Sequence, residues 1–370
     1  MIFGIITHTV HKIKEGQIYA YEPYVREMNL WGKFVDEIII VAPVSADEII
    51  SIDAFYNHSN IKVITIPNFD TTSIKNTFRS ILVIPKICRS IYKVMKQVNH
   101  IHLRCPGNVG ILGCIVQVFF PLKSKTAKYA GNWDPKSKQP ITYRLQKWIL
   151  RNTFLSKNIK VLVYGNWPKK SKNILPFFTA SYQQFEIKEI PKKDFNSKIK
   201  LLFVGAFSIG KQPMLSVKAT HKLINKGHNI SLDMYGNGSD FIKVKKYIND
   251  NELYNDIKLY GNQSKEIVKQ AFQKSHFLVF ISKSEGWPKV VAESMFWSCL
   301  PVSTKVSCVP YMLDYGNRGA LINGNLDEVI EKIESYIAHK KRYAEHVENA
   351  KKWSQQFTLD AFEEAIKELI

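Results

Sequence analysis

Two glutamates eight positions apart, Glu285 and Glu293, lie in a segment suited to binding a hydroxylated, phosphorylated ligand. The segment follows the apolar stretch HFLVF and enters a predicted helix that opens at Pro288, where proline suits the first turn. The first amides of a helix are unpaired and carry partial positive charge, which favours a diphosphate. At the helical rise the two carboxylates are roughly 12 Å apart. That span suits a sugar at one end of a diphosphate and a ribose at the other, since carboxylates accept hydrogen bonds from vicinal hydroxyls.

The elements that must position these residues alternate along the whole chain between short β-rich runs and longer helical patterns. This alternation predicts parallel sheets covered on both faces, with ligands bound at the carboxyl ends of the strands. Helical patterns are predicted over residues 213–226 and 264–274. The predicted strands cover residues 2–7, 37–42, 61–66, 101–103, 127–129, 161–164, 201–204, 230–234, 257–259, 277–280, 301–303 and 320–322.

A polar, proline-containing stretch without periodicity at residues 187–199 separates the two halves of the chain. We therefore expect an α/β protein of two Rossmann-like domains, residues 1–190 and 199–355. Residues 356–370 form a helical tail with one apolar stripe, which packs on its own domain or back on the first. Two such sheets, facing each other, would enclose an interdomain cleft.

Composition excludes several classes of protein. The five cysteines are widely spaced without a CxxC pair, which argues against a disulfide framework or a zinc site and fits a reduced, cytoplasmic setting. The N-terminus has no basic region ahead of its apolar stretch, so it indicates a first strand rather than a signal peptide. The apolar run at residues 109–122 is too short to span a bilayer and predicts a buried helix.

Nearly all of the excess positive charge lies in the first half of the chain. Residues 1–200 hold 30 Lys and Arg against 13 Asp and Glu, whereas residues 201–370 hold 22 against 19. Such a field attracts nucleic acid, anionic lipid headgroups or a phosphate-bearing substrate. Residues 139–155 form a basic amphipathic helix candidate, either an interfacial helix or an ordinary surface helix. Its apolar face holds Ile141, Leu145, Trp148 and Ile149, and its basic face holds Arg144, Lys147 and Arg151.

The Glu-x7-Glu spacing within EGWPKVVAESM resembles the donor signature of the retaining GT-B glycosyltransferases of family-four type, the glycosyl transferases group 1. The resemblance implies a GT-B fold and transfer of a hexose from a UDP- or GDP-sugar to a hydroxyl, with retention and without a cofactor or an essential metal. The acceptor it suggests is a glycan or a lipid-linked molecule of cell-envelope polysaccharide synthesis, such as lipopolysaccharide or capsule. With the basic first half, it favours a cytoplasmic protein at the inner face of the membrane and no nucleic-acid partner.

The same resemblance assigns roles to residues of the second half. Glu285 would contact the transferred hexose, Glu293 the ribose hydroxyls, and Lys211 the diphosphate. Ala206 stands where the family often has arginine, so one expected phosphate ligand is missing. The other implied donor-binding residues of this half are Gly205, Gly236, Asn262, Gly286, Trp287, Pro288, Lys289 and Val290.

In the first half the resemblance is limited to a few positions. Gly16 stands where a glycine turn lets the backbone approach the donor phosphates. The stretch YAGNWDP replaces the usual histidine of the family, which makes Asp134 a catalytic candidate. Asp134, Trp133 and Trp167 would form an acceptor platform, or the two tryptophans simply pack. His8 and His102 are either site histidines or core histidines.

Rival functions remain open from the sequence. One is a nucleic-acid-binding protein, suggested by the net charge of +20, although no nucleic-acid-binding motif is present. Another is a GT-B module that binds a sugar nucleotide without transferring it, an alternative that the Ala206 departure leaves open. An epimerase on the same fold is a third. The absence of a GxGxxG after the first strand argues against dehydrogenase chemistry.

Overall fold

The computed structural model describes residues 1–50, 52–67, 74–168 and 171–370, which form two compact units. The first unit consists of Met1–Phe177 and Phe362–Ile370, and the second of Phe178–Ala361. The first segment therefore ends at Phe177 rather than at residue 190. Tyr182 belongs to the second unit because its ring packs there, 5.0 Å from both Phe296 and Trp297.

The first unit is built on a mixed sheet. Its strands are β1 (Ile2–Ile6), β2 (His11–Lys14), β3 (Gln17–Tyr21), β4 (Glu37–Ser45), β5 (Asp53–Phe55), β6 (Ile61–Ile66), β7 (His100–Cys105), β8 (Ser124–Tyr129), β9 (Ile159–Tyr164) and β10 (Ile174–Phe177). β7, β1, β4 and β6 pair in parallel, as do β7, β8, β9 and β10. The helices before the second unit are α1 (Glu22–Gly32), α2 (Ile74–Gln97), α3 (Asn108–Val116) and α4 (Ile141–Arg151).

The second unit has a parallel sheet of the strands β11 (Ile199–Val204), β12 (Ile230–Tyr235), β13 (Ile257–Gly261), β14 (Phe277–Phe280), β15 (Leu300–Thr304) and β16 (Ala320–Ile322). Their order in the sheet is β13-β12-β11-β14-β15-β16. The helices are α5 (Pro213–Asn225), α6 (Phe241–Asp250), α7 (Lys265–Lys274), α8 (Lys289–Phe296), α9 (Val309–Met312), α10 (Leu326–Ala338) and α11 (Lys340–Ser354), with α12 (Leu359–Lys367) running into the first unit.

Both sheets form because their central strands are apolar on both faces, as helix-covered parallel strands must be. Six of the nine residues of β4 and all four of β14 are buried. The α/β fold with parallel sheets is thereby confirmed, and every strand predicted from the sequence is present. In the apolar run at residues 109–122 only the first part forms the expected helix, α3. Beyond it the chain turns outward, and Phe119 and Leu122 are exposed.

A β-hairpin in the first unit was not predicted. β2 and β3 pair antiparallel and are joined by Glu15 and Gly16, with φ of 51° and 76°. Positive φ at both central residues matches a type I′ turn, the geometry that suits a two-residue hairpin. Gly16 therefore lies at an exposed hairpin turn and not in a strand-to-helix loop. The hairpin alone accounts for the glycine, and its assignment to donor phosphates stays a prediction.

Helix α4 does not have the single apolar face that the sequence suggested. Ile149 is buried in the core of the first unit, whereas Ile141, Leu145 and Trp148 point outward and are exposed. The helix thus packs on the unit through one side and presents further apolar side chains on another. Lys147, expected on the basic face, is partly buried, and this burial lowers its pKa to about 8.

Three histidines are buried in the first unit and kept neutral by their surroundings. Burial lowers the pKa of His100 and of His11 to about 4, and that of fully buried His102 well below its usual value. His100 and His102 share one partner, since Nε2 of the former and Nδ1 of the latter lie 2.9 and 2.8 Å from Thr126 Oγ1. His102 is therefore a core histidine of β7.

These histidines predict that the free energy of unfolding falls on acidification. Their contribution is fully present above the unfolded pKa of about 6.5 and is lost as the pH falls toward about 4. At about pH 5, each histidine with a folded pKa near 4 costs on the order of 2 kcal/mol. Denaturant unfolding between neutral pH and pH 5 should show this slope. His100→Gln should flatten it, whereas exposed His339→Gln should not, and equal slopes in all three proteins would contradict the assignment.

Candidate functional site

The loops that follow three neighbouring strands of the second sheet are joined by backbone hydrogen bonds. The Gly205 amide, after β11, donates to Tyr235 O at 3.0 Å. The Gly236 amide, after β12, donates to Gly261 O at 2.8 Å, beside exposed Asn262 after β13. The structure thus brings Gly205, Gly236 and Asn262 to one edge of the sheet, the edge at which open α/β sheets bind ligands.

Glycine at position 236 is required by this close packing. A Cβ there would fall 2.0 Å from Gly205 O, and the backbone φ of 127° is one that other residues rarely adopt. Both reasons concern the fold of the edge, so they explain the residue without a ligand. The same packing holds the backbone of the Gly205 loop in a defined position.

The best-defined polar arrangement at this edge centres on Glu285, in the loop after β14. Its Oε1 accepts a hydrogen bond from Ser282 Oγ at 2.5 Å and a short hydrogen bond from Lys211 Nζ. Lys211 comes from the loop after β11, and the Lys283 amide donates to Gly210 O at 2.9 Å. The carboxylate is largely buried, and the ammonium is partly exposed. Two residues that the sequence singled out separately are therefore an ion pair.

The turn after Glu285 is held from its other side by the loop after β15. Ser307 Oγ and Cys308 Sγ both donate to Gly286 O, at 3.0 and 3.3 Å. Thr304 Oγ1 accepts from the Ser282 amide at 3.0 Å and donates to Ser282 O at 2.8 Å. These contacts fix the backbone on both sides of Glu285. Nothing in the sequence singles out the residues that make these contacts. Ser282 alone could have been noticed, because it lies three positions before Glu285.

Helix α8 begins one residue later than expected, with Pro288 at the N-cap position. No side chain caps it, and the carbonyl of Pro288 accepts from the Val291 amide at 2.9 Å. Because proline has no N–H, the first amides of the helix are those of Lys289 and Val290. Trp287 is buried and stacks on Trp353 with ring centroids 6.1 Å apart, which anchors the turn to α11.

Glu293, further along α8, is engaged by a residue that the sequence gave no reason to select. Ser181 Oγ donates to Glu293 Oε1 at 2.5 Å, from a segment 112 positions earlier in the chain. Tyr182 lies beside this pair, and burial, followed by the charge of Glu293, raises the pKa of its phenol. Lys265 Nζ in turn donates to Ser181 O and lies 4.7 Å from the Tyr182 ring centroid.

In the first unit, Asp134 follows β8 at the carboxyl edge of the sheet but is engaged in a turn. Its Oδ1 accepts from the Lys136 amide at 2.8 Å, as in an Asx turn. Trp133 is buried with its ring centroid 4.8 Å from that of Tyr129, and Trp167 packs on the same core. For the two tryptophans the structure therefore favours packing over an exposed platform.

Arg104, at this same edge, was not selected from the sequence, whereas its neighbour His8 was. Arg104, near the end of β7, donates to Glu27 Oε1 at 2.5 Å, and both side chains are nearly buried. His8, after β1, lies against Gly107, where a Cβ would fall 2.6 Å from its Nδ1. Partial burial, followed by the charge of Arg104, lowers the pKa of His8. His8 thus stands at the edge of the sheet, unlike His102.

Within residues 1–50, 52–67, 74–168 and 171–370, no three His, Cys, Asp or Glu side chains are grouped so that they could hold a metal ion. Over the same ranges no helix has the length and apolar character needed to cross a membrane.

Comparison with known proteins finds similarity to enzymes of sugar transfer. Residues 184–353 match the family model described as Glycosyl transferases group 1. A poly(glycerol-phosphate) alpha-glucosyltransferase of Bacillus subtilis is 30% identical over 137 residues, which cover 37% of this chain and 19% of that protein. A second curated relative, from Methanocaldococcus jannaschii, is covered over 43% of its length, so the chain spans less than half of either relative.

Solved structures extend the similarity beyond the second unit. The apo form of the lipopolysaccharide outer core galactosyltransferase WaaB aligns over 100% of this chain and 99% of its own, with a TM-score of 0.71 and 14% identity. S. aureus TarM, solved with alpha-GlcNAc-glycerol and UDP among its ligands, aligns over 76% of this chain and 57% of its own, with a TM-score of 0.56 and 18% identity. At these identities the similarity establishes the fold.

The packing of the loops predicts unequal costs for two glycine substitutions at this edge. Gly236→Ala combines positive φ with a collision against Gly205 O, whereas Gly261→Ala has positive φ but open space around its Cβ. We expect Gly261→Ala to cost about 1–2 kcal/mol and Gly236→Ala clearly more, because backbone must move. Denaturant midpoints of the two variants would test this. Equal midpoints would show that the loops do not pack as described.

Proposed function

We propose that this chain, which has the GT-B fold and matches the glycosyl transferases group 1 over residues 184–353, transfers a hexose from an NDP-sugar to a hydroxyl of a glycan or lipid-linked acceptor. The observation that carries the proposal is the ion pair of Lys211 and Glu285 beside the uncapped start of α8. It joins the two groups such a donor needs, a cation for the diphosphate and an acceptor of hydroxyl hydrogen bonds.

The donor is proposed to lie along α8 in the second unit. Its diphosphate would rest against the first amides of the helix, at Lys289 and Val290, where the helix dipole favours negative charge. Lys211 would contact the phosphate oxygens. Glu285 would accept from hydroxyls of the hexose, and Glu293, oriented by Ser181, from those of the ribose. Gly205, Gly236 and Asn262 would line the nucleotide end, and Gly286, Trp287 and Pro288 the turn.

The reaction breaks the bond between the anomeric carbon and the diphosphate and forms one to the acceptor oxygen. Negative charge grows on the leaving diphosphate, and positive groups already held in place stabilise it most effectively. We propose that Lys211 and the α8 amides supply that charge without a metal. Ala206, in place of the usual arginine, is exposed and adds none. Retention, with the hydroxyl attacking from the face that the diphosphate leaves, is part of the same proposal.

For the acceptor we propose a component of a cell-envelope polysaccharide. The support is that one relative is named for a poly(glycerol-phosphate) substrate and one structural neighbour for lipopolysaccharide. Asp134 and His8, both at the carboxyl edge of the first sheet, are the groups proposed to contact the acceptor hydroxyl. Gly16 stays a proposal for the donor phosphates.

We further propose that the first unit contacts an anionic membrane through α4, from the cytoplasmic side. Ile141, Leu145 and Trp148 are exposed together, which is unusual for a helix whose other side is packed in a core. Arg144 and Arg151 on the same helix are exposed as well. Apolar side chains beside exposed cations are the combination that binds an interface with acidic lipids.

Substitutions at the donor site should separate binding from chemistry. We expect Glu285→Gln to lower kcat by roughly a hundredfold or more, since a group that acts on the reacting sugar is lost. Glu293→Ala should chiefly raise the KM for the donor, because the ribose is far from the reacting carbon. Release of free UDP or GDP from labelled sugar nucleotides is the measurement, in buffer with and without EDTA.

Exposed Glu331→Gln on α10 is the matched control for charge. Near-normal turnover in both Glu285 and Glu293 variants would refute the donor site. Tight donor binding by the unaltered protein without any nucleotide release, in the presence of candidate acceptors, would instead favour a non-catalytic sugar-nucleotide-binding module.

Replacing Ile141, Leu145 and Trp148 together by serine should reduce binding to vesicles that contain phosphatidylglycerol. Each exposed apolar side chain contributes on the order of 1 kcal/mol or more when buried, so we expect a loss of at least tenfold. Vesicle co-sedimentation is the measurement, and Ile242→Ser, at an equally exposed position of α6, is the control. Unchanged sedimentation of the triple variant would exclude α4 as the contact.

A further inference from the structure

The Glu293 side chain is held by a residue outside its own helix. Ser181 Oγ donates to Glu293 Oε1 at 2.5 Å, and this serine is only 8% exposed, so water has little access to the hydrogen bond. An ionised carboxylate has about four acceptor positions on its two oxygens. The bond from Ser181 takes one of them and fixes the orientation of the group, which leaves capacity for a ligand with neighbouring hydroxyls.

The position of Ser181 is in turn set by Lys265, the first residue of α7. The Nζ of this lysine donates a hydrogen bond to Ser181 O and lies 4.7 Å from the centroid of the Tyr182 ring. A cation in the first turn of a helix is disfavoured by the positive end of the helix dipole. The stability of α7 therefore does not explain this lysine. Its contacts lie instead with residues 181–186, which we call the Ser181 segment.

The remainder of the Ser181 segment is held by the same two helices. Lys269, one turn further along α7, donates to Glu186 Oε1 at 3.0 Å, and both side chains are largely buried. The centroid of the Tyr182 ring lies 5.0 Å from those of Phe296 and Trp297, at the end of α8. The segment is therefore fixed along its length, which makes it a rigid support for the carboxylate on α8.

Lys265 also connects this support to the loop after β13. Ser264 is the N-cap of α7, and its Oγ accepts from a backbone amide of the first turn at 3.4 Å. Asn262, proposed for the nucleotide end of the donor, lies two positions before this cap. One series of contacts thus runs from the nucleotide loop through Lys265 and Ser181 to Glu293. All of these residues belong to the second unit.

We propose that Ser181 and Lys265 are positioning residues of the donor site and make it selective for ribonucleotides over 2′-deoxyribonucleotides. This inference rests on the proposed function, in which Glu293 accepts hydrogen bonds from the ribose hydroxyls. A glutamate side chain loses conformational freedom when a ligand orders it. Because Ser181 orders it beforehand, that loss does not weaken binding. The donor class is therefore a sugar carried by a ribonucleoside diphosphate.

A 2′-deoxyribose satisfies this arrangement only in part. Without its 2′-hydroxyl, one acceptor position of a fixed, partly buried carboxylate stays without a donor, and such a loss discriminates strongly between ligands. A carboxylate that is free to turn would find water or another partner instead. The selectivity accordingly depends on the Ser181 hydrogen bond and not on Glu293 alone.

The test is calorimetric titration of the whole chain with UDP and with GDP, each compared with its 2′-deoxy form. For the unaltered protein we expect the ribonucleotide to bind about tenfold more tightly than the deoxy form, or better. Ser181→Ala should remove most of this preference, by weakening ribonucleotide binding while deoxynucleotide binding stays nearly unchanged. A purely structural defect would weaken both forms to the same extent. In turnover assays the same variant should raise the donor KM and leave kcat nearly unchanged.

Further variants make the assignment specific. Ser181→Thr keeps a hydroxyl at this position and should restore the preference. Lys265→Met keeps an unbranched apolar stem but loses the hydrogen bond to Ser181 O, so the preference should fall in part. Ser197→Ala removes an exposed serine of the same unit and should bind like the unaltered protein. In a Glu293→Ala background, Ser181→Ala should have no further effect, because the two residues act as one unit.

The outcomes separate this inference from the donor site itself. If neither nucleotide binds, or if the ribose preference is absent or survives Glu293→Ala, the proposed donor site is refuted and this inference with it. If Glu293→Ala removes the preference whereas Ser181→Ala and Lys265→Met keep it, the donor site stands and the positioning role is refuted. Equal weakening of both nucleotide forms by Ser181→Ala would also refute that role, since the serine would then only support the fold.

Discussion

The carboxylate of Glu285 is the point on which the geometry of the second unit's candidate site depends. It is largely buried, so it is tolerated only because donors surround it. Ser282 supplies one from its own loop and Lys211 another from the loop after β11. Charge-assisted hydrogen bonds of this kind are roughly twice as strong as neutral ones. The interaction therefore links the loops that follow the adjacent strands β11 and β14. It thereby fixes the position of the loop that leads into α8.

The fold and the candidate site could be predicted from the sequence where the residues involved are close together along the chain, and could not where they are far apart. The strands and the α5 and α7 helices are local patterns, and they were found with boundary errors of a few residues. Glu285 and Glu293 were found because their spacing is local as well. The Ser181–Glu293 hydrogen bond could not be found, since nothing near Ser181 distinguishes it from other serines. Ser282 could have been selected, because it lies only three positions before Glu285 in the same loop.

The errors in the first unit have one physical origin. Sequence reasoning assigned charged residues to the surface and the apolar run to the core, but the fold partly reverses both. Lys125 and Lys128 are buried in β8, the latter with its Nζ 4.4 Å from the Phe177 ring centroid, whereas Phe119 and Leu122 are exposed. Part of the positive charge of residues 1–200 is therefore internal, balanced by Glu27 and by aromatic rings. A charge count predicts a surface field only for charges that stay at the surface.

The ion pair also constrains how the proposed donor would bind. Lys211 already forms an ion pair with Glu285. A diphosphate would therefore compete with the Glu285 carboxylate for the Lys211 ammonium. A sugar hydroxyl would in turn replace that ammonium as the donor to Glu285. The cost of parting the pair is then offset only by a ligand that satisfies both groups together. A nucleotide without a sugar, or a sugar without a diphosphate, leaves one of them unsatisfied in a largely buried site. Ala206 adds no charge to the loop after β11, so in the proposed mode of binding this discrimination would come from Lys211, Glu285 and the first amides of α8.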